Sequence, residues 1–288
     1  MTSVLFAALA GALFGVLAVT VRGGLAQGAD PHAGALVIAC VGLAVSAVLA
    51  APSAAAGFRV GELWPFVLAG ALVPGVSQIL FVLAVKHAGP SRAAILIGTA
   101  PVMSVVLALI FLDEPFKAEL SVGTLLVVAG GAALARERAR PEHFRLLGVP
   151  LALSCAALFA VRDNVVRWAA SDVHPQPLVA ATAALLAAAG FNLAYVVLRH
   201  RRDLIRKLHR ALPAFTAAGL ALGLAYDSLL EAFDRGRVNV VAPLNATQSL
   251  WGVLLSALLV GRAEMIGRRT VLAGLLVVAG AVLISAVR

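Results

Sequence analysis

The sequence predicts an all-α polytopic membrane protein of ten transmembrane helices, built as two inverted five-helix repeats. Three observations carry that expectation. The 288-residue chain is 61% hydrophobic and only 13% charged, with a mean hydropathy of +0.99. A soluble domain of this length has far more polar surface to cover. Apolar runs close to the roughly 20 helical residues that cross a ~30 Å hydrocarbon layer recur from end to end. Finally, the hexapeptide LLVVAG stands at 125–130 and again at 275–280, 150 residues apart.

In chain order the first half reads as spans at about 3–21, 33–51, 63–86, 90–112 and 118–135. The opening MTSVLFAALAGALFG has no basic segment ahead of its apolar run, so it is expected to be a first span and not a cleaved signal. The third span is interrupted by Pro74-Gly75 and the fourth by Pro101. The second half reads as spans at about 147–169, 177–198, 211–233, 237–260 and 268–287, with Pro243 in the ninth. A proline frees backbone carbonyls, and paired interrupted helices point to a binding cavity near the bilayer midplane; a proline that only kinks a packed helix is the plainer alternative. Cys40 and Cys155 lie inside apolar runs and read as small packing residues, with no disulfide framework or metal site. The connectors are short. RERARPEHFR (136–145) and RHRRDLIRKLHR (199–210) are the most charged, and none is long enough for a soluble domain.

The duplication extends beyond six letters. Glu114 and Glu264 each sit sixteen residues before the last glycine of their LLVVAG, Gly130 and Gly280. ALFGVLAVTVR (12–22) is echoed by ALFAVRDNVVR (157–167), at an offset of 145. The repeats are assigned to 1–138 and 145–288. Five is odd, so the second copy enters the membrane from the opposite side, and a pseudo-twofold axis in the membrane plane relates the halves. Inverted repeats are a transporter signature that also occurs in channels. Gly123 and Gly130 are seven apart, as are Ala273 and Gly280, so each pair lies on one helix face where another helix approaches closely.

At these residues the chain resembles the ten-span EamA-type members of the drug/metabolite transporter superfamily. Their five-helix unit ends in a proline-containing span, a Gly-Glu turn and a last span closing on Ala-Gly. The first copy, SRAAILIGTAPVMSVVLALIFLDEP followed by SVGTLLVVAGG, matches at Pro101, Glu114, Gly123 and Gly130. The second, APLNATQSLWGVLLSALLVGRAE followed by TVLAGLLVVAGA, matches at Glu264 and Gly280. There Trp251 stands where the family has proline, and the turn is Ala-Glu. The resemblance covers essentially the whole chain. It implies a carrier for small metabolites, often amino acids or related organic compounds and frequently in the export direction, in a bacterial-type inner or plasma membrane.

The formal charge of +9 does not indicate nucleic acid, because no soluble domain carries a basic patch. Connectors 1–2, 3–4, 5–6, 7–8 and 9–10 hold sixteen Lys and Arg, against six for the remaining connectors and tails. The positive-inside rule makes the rich side cytoplasmic and puts both termini outside. The family resemblance implies cytoplasmic termini instead.

Ionisable groups within spans default to function. The sixth span holds Arg162, Asp163, Asn164 and Arg167; the eighth holds Tyr226, Asp227, Glu231 and Asp234. Asp227, Glu231 and Asp234 share one face by spacing. Asn245, Gln248, Gly252 and Ser256 form a stripe on the ninth. The candidate substrate or coupling residues are therefore Arg162, Asp163, Asn164, Tyr226, Asp227, Glu231, Asn245 and Gln248, with Gln78 after the Pro74 break and Trp251 as a stacking group. Plainer readings stand beside these. Asp163 and Arg167 are spaced to pair along their own helix, Asn245 and Gln248 to bond between helices, and Trp251 to face lipid. A carboxylate among Asp163, Asp227 and Glu231 is the expected proton carrier, with the proton as coupling ion.

Rival classes are a passive channel and an intramembrane enzyme. The six histidines lie in or beside connectors without an HExxH pattern, and GxSxG and Walker motifs are absent from the sequence. The expectation is a non-enzymatic monomer without cofactor or metal. Its partners are a small polar solute and the bilayer, and it works by alternating access between the repeats. A mixed-charge, amide-bearing cavity suits a zwitterion.

Overall fold

The computed structural model describes residues 2–55, 57–100, 102–103, 118–135, 144–172, 175–199, 203–235, 241, 244–245, 247–259 and 267–287. Ten helices run through them: α1 (Thr2–Ala26), α2 (Pro31–Ala55), α3 (Trp64–Ala88, interrupted at Ala71–Val76), α4 (Pro90–Ile97), α5 (Ala118–Ala135), α6 (Gly148–Asp172), α7 (Pro177–Arg199), α8 (Leu204–Arg235), α9 (Gln248–Leu259) and α10 (Arg268–Val287). Among the described residues α1, α2, α3, α7 and α8 are long and apolar enough to cross a bilayer by length and composition. Pro101, Glu114, Pro243 and Glu264 lie outside the described residues, as do the side chains of Asp163, Asn164 and Arg167.

Local chemistry sets the helix starts. Asp30 caps α2: its Oδ1 accepts the His32 and Ala33 backbone N–H groups at 3.0 Å each, with Pro31 at the first helical position, where no N–H is needed. Gly89, at φ +85°, turns the chain between α3 and α4, and Pro90 opens α4. Pro177 opens α7 in the same way.

The packing repeats itself when the halves are exchanged. Helix α1 packs on α8 as α6 packs on α3, α2 on α8 as α7 on α3, and α1 on α9 as α6 on α4. Pairs α2–α7, α4–α9 and α5–α10 join each helix to its own counterpart. That is the pattern of two inverted five-helix units about a twofold axis. Small residues make the close approaches. The Phe215 ring of α8 is fully buried, and a Cβ added at Gly34 of α2 would fall 2.5 Å from its Cε2. Helices α5 and α10 meet through the LLVVAG segments. A Cβ at Gly280 would lie 2.5 Å from the Gly123 carbonyl oxygen, and one at Gly130 2.9 Å from that of Ala273. Helix association in lipid rests on such packing, since lipid tails are as apolar as leucine.

Contacts between connectors sort them onto two faces. Lys207 Nζ lies 3.6 Å from Asp30 Oδ2, joining connectors 7–8 and 1–2. The Arg145 N–H donates to the His87 carbonyl at 2.7 Å, joining 5–6 to the 3–4 end. On the opposite face Gln176 Nε2 donates to the Gly57 carbonyl at 3.3 Å, and the Arg235 guanidinium sits 5.3 Å from the Phe6 ring centroid near the N-terminus.

Candidate functional site

The site is built around the break in α3. Val73 takes extended dihedrals (φ −137°, ψ 112°) between helical neighbours. The Ser77 N–H donates to the Leu72 and Pro74 carbonyls and so skips that of Val73. In lipid a skipped carbonyl must find an internal donor. Tyr226 of α8 supplies it: its hydroxyl donates to the Val73 carbonyl at 2.5 Å. Two more helices reach the same region. Asn192 Nδ2 of α7 donates to the Gly75 carbonyl at 3.1 Å, and the Cys155 thiol of α6 to that of Ser77 at 3.7 Å. One side chain from each of α6, α7 and α8 thus satisfies a carbonyl at or just after the break.

Arg162 of α6 completes the cluster. It is 4% exposed. Its Nη1 donates to Tyr226 Oη at 3.4 Å, and its guanidinium carbon lies 5.0 Å from the Phe159 ring centroid and 5.8 Å from that of Tyr226. A cation over aromatic faces is held by the ring quadrupoles.

Two cavities meet at this pair. The central one takes its walls from both repeats: Phe14, Leu17, Gln78, Phe81 and Ile97 from the first, and Phe159, Leu222 and Gln248 from the second, together with the α3 break. It spans about 390 Å³ between its walls, counting space open to the surface. The other, of about 310 Å³, lies between the halves of α3, α6 and α8 nearer the face of the termini, and Phe66, Val166, Leu230 and Phe233 line it. Arg162 and Tyr226 line both. They form the partition between the chambers.

Of the residues singled out by sequence, the structure brings Gln78, Arg162, Tyr226 and Gln248 to the central cavity. Asp227 turns away from both cavities, toward α2 and α7. Its Oδ1 accepts the Ser46 hydroxyl at 2.6 Å, and Ser46 Oγ lies 3.0 Å from Thr182 Oγ1. Asp227 is 4% exposed, and its Oδ2 has no hydrogen-bond partner among the described residues. Glu231 pairs with Arg235 one turn on, Oε2 to Nη2 at 2.5 Å and to Nε at 2.7 Å. Asn245 lies against α1, its carbonyl oxygen 3.5 Å from where a Gly11 Cβ would stand. Trp251 is 37% exposed, with its own Cβ against Gly15 of α1. Asp163 and Asn164 fall outside the described side chains. Sequence reasoning missed Ser46, Thr182 and Asn192, whose signal was a lone polar residue in an apolar span, and it missed Phe14, Phe81 and Phe159, which composition alone does not distinguish from packing. Among the described residues no group of three His, Cys, Asp or Glu could hold a metal ion.

Comparison with known proteins bears on this arrangement. The sequence model described as the EamA-like transporter family matches residues 1–135 and 146–286. A solved crystal structure is similar over 98% of this chain and 95% of its own, with 23% identity and a TM-score of 0.65, a likeness of fold. Curated proteins yield no match. A membrane-embedded helical fold, two matched halves and a cavity between them converge on one assignment: the chain belongs to the EamA-like transporter family.

Proposed function

We infer that this protein is a secondary or facilitative carrier that moves a small polar metabolite outward across a bacterial-type cell membrane by alternating access. The observation that carries the reading is the central cavity. It lies between the repeats at a broken helix, and a side-chain pair closes it toward one face. Opening that face requires Arg162 and Tyr226 to part, and exchange of the pseudo-symmetric halves then opens the other. The proton is the coupling ion in this reading. Asp227, on α8 beside α2, would hold or release it as those helices shift: one of its oxygens keeps Ser46, and the other has no partner among the described residues.

The test is counterflow in proteoliposomes. Liposomes holding the purified full-length protein are preloaded with one unlabelled solute of an amino-acid and organic-acid panel, and uptake of the same labelled solute is followed. A carrier shows uptake accelerated several-fold by internal solute. Uptake indifferent to internal solute identifies a passive pore and overturns the carrier reading.

A further inference from the structure

We propose that the central cavity binds the acceptor end of a small organic acid, a carboxylate on an apolar body, with Gln78 and Arg162 as its donors. The proposal deepens the carrier reading and rests on it.

Two polar observations point to an acceptor. Gln78 follows the α3 break, lines the cavity and is 3% exposed. Its Nε2 has no hydrogen-bond partner among the described residues. A buried N–H left unmade is costly, so such a donor on a residue that lines a cavity points to a ligand acceptor. Arg162 borders the same cavity from the opposite repeat. Its guanidinium stays charged at any physiological pH and presents five N–H donors. Whatever partners it keeps in the closed state, it offers a carboxylate charge-assisted hydrogen bonds, the stronger kind. Tyr226, bonded to both Arg162 and the α3 break, fixes where that charge stands.

The remaining wall selects the body of the ligand. Phe14, Phe81 and Phe159, with Leu17, Ile97 and Leu222, surround the donors with apolar surface. Among the described residues this lining holds no carboxylate that would recognise an ammonium. The chemistry therefore favours a monocarboxylate over a zwitterion or an amine.

The experiment uses the full-length protein in lipid nanodiscs and four probes on one scaffold: 3-phenylpropionate, its amide, 3-phenylpropylamine and phenylalanine. Binding is read by calorimetry. The acid is expected to bind at least about tenfold tighter than the amide or the amine. Gln78→Met is expected to weaken the acid several-fold and leave the amine unchanged. Arg162→Gln is expected to erase the preference for acid over amide, and Arg162→Lys to retain part of it. An amine or phenylalanine that binds as tightly as the acid overturns the proposal, as does Gln78→Met with unaltered affinity for the acid. Binding of none of the four also overturns it. Accelerated counterflow of another solute would then leave the carrier reading standing, whereas loss of both removes the two together.

Discussion

The Tyr226 hydroxyl donates to the Val73 carbonyl at 2.5 Å across 153 residues of sequence. It ties the second repeat to the broken helix of the first. The same oxygen accepts from Arg162, so one phenol joins the backbone break to the partition between the chambers. Tyr226→Phe keeps the ring and removes the bond. The expected cost is about 1 kcal/mol, since an unpaired buried carbonyl costs ~1–3 kcal/mol in water-soluble proteins while interhelical bonds in membranes average nearer ~0.6 kcal/mol. Thermal unfolding in detergent reads the loss, and counterflow should become faster as the partition loosens. Unchanged stability would mean that another donor replaces the hydroxyl.

Asp227→Asn separates titration from packing. The amide oxygen still accepts the Ser46 hydroxyl, but the side chain no longer exchanges a proton. Uptake driven by an imposed pH gradient in proteoliposomes should lose its dependence on that gradient, with thermal stability close to wild type. Glu231→Gln should leave the gradient response intact, because Glu231 is engaged with Arg235 near the end of α8. A persisting response in Asp227→Asn removes Asp227 from coupling.

The contrast between Asp227 and Tyr226 marks the limit of what the sequence conveys. Spans, repeat and the proline break are legible because they depend on composition and spacing along one chain. The rotation of a helix about its own axis depends on what packs against it. Spacing places Asp227 and Glu231 on one stripe of α8, yet Asp227 bonds across to α2 while Glu231 bonds back to its own helix. Tyr226, one residue earlier, takes the cavity. Ser46, Thr182 and Asn192 are single polar letters in apolar runs, and only a carboxylate or a broken helix brought alongside them gives them a role. Glycine was easier to read, since a missing side chain matters whichever helix approaches.

Gly280 tests that last point. An added Cβ would meet the Gly123 carbonyl oxygen at 2.5 Å and the Val127 amide nitrogen at 3.0 Å. Both are backbone atoms, so α5 and α10 must move apart. Gly280→Ala is expected to cost about 1–3 kcal/mol, the usual range for overpacking, read as a lower unfolding temperature. Among the described residues nothing lies within 4 Å of a Cβ added at Gly190 of α7. Gly190→Ala should be neutral or stabilising by roughly 0.5–1 kcal/mol, from the helix propensity alone.

Asp30 predicts an acid-sensitive step outside the membrane. Partial burial works to raise its carboxyl. The Ala33 and His32 N–H groups, Lys207 and His32 outweigh it and hold the group below its ordinary range. The folded value therefore lies beneath the unfolded one. The stabilisation is fully present above a pH of about 4 and is lost as pH falls through the folded value. Asp30→Ala should cost about 1 kcal/mol through the cap and flatten that acid limb of an unfolding profile. Asp30→Asn keeps the cap and loses the attraction to Lys207 together with the pH dependence. An acid limb preserved in both variants would place it on another group.

The two faces defined by the connectors give orientation a direct test. On one face connectors 1–2 and 7–8 meet through Lys207–Asp30, and connector 5–6 meets the 3–4 end through Arg145–His87. The positive-inside rule then makes that face cytoplasmic and the face of Gly57 and Gln176 external. Arg206 and Arg59 are exposed on the first and second face respectively. With Cys40 and Cys155 replaced by serine and alanine, Arg59→Cys should react with a membrane-impermeant maleimide in intact cells. Arg206→Cys should react only after permeabilisation. The reverse pattern would put the termini in the cytoplasm, as the family resemblance implies. The basic connectors would then face outward, and the Arg162–Tyr226 partition would close the cavity toward the cytoplasm.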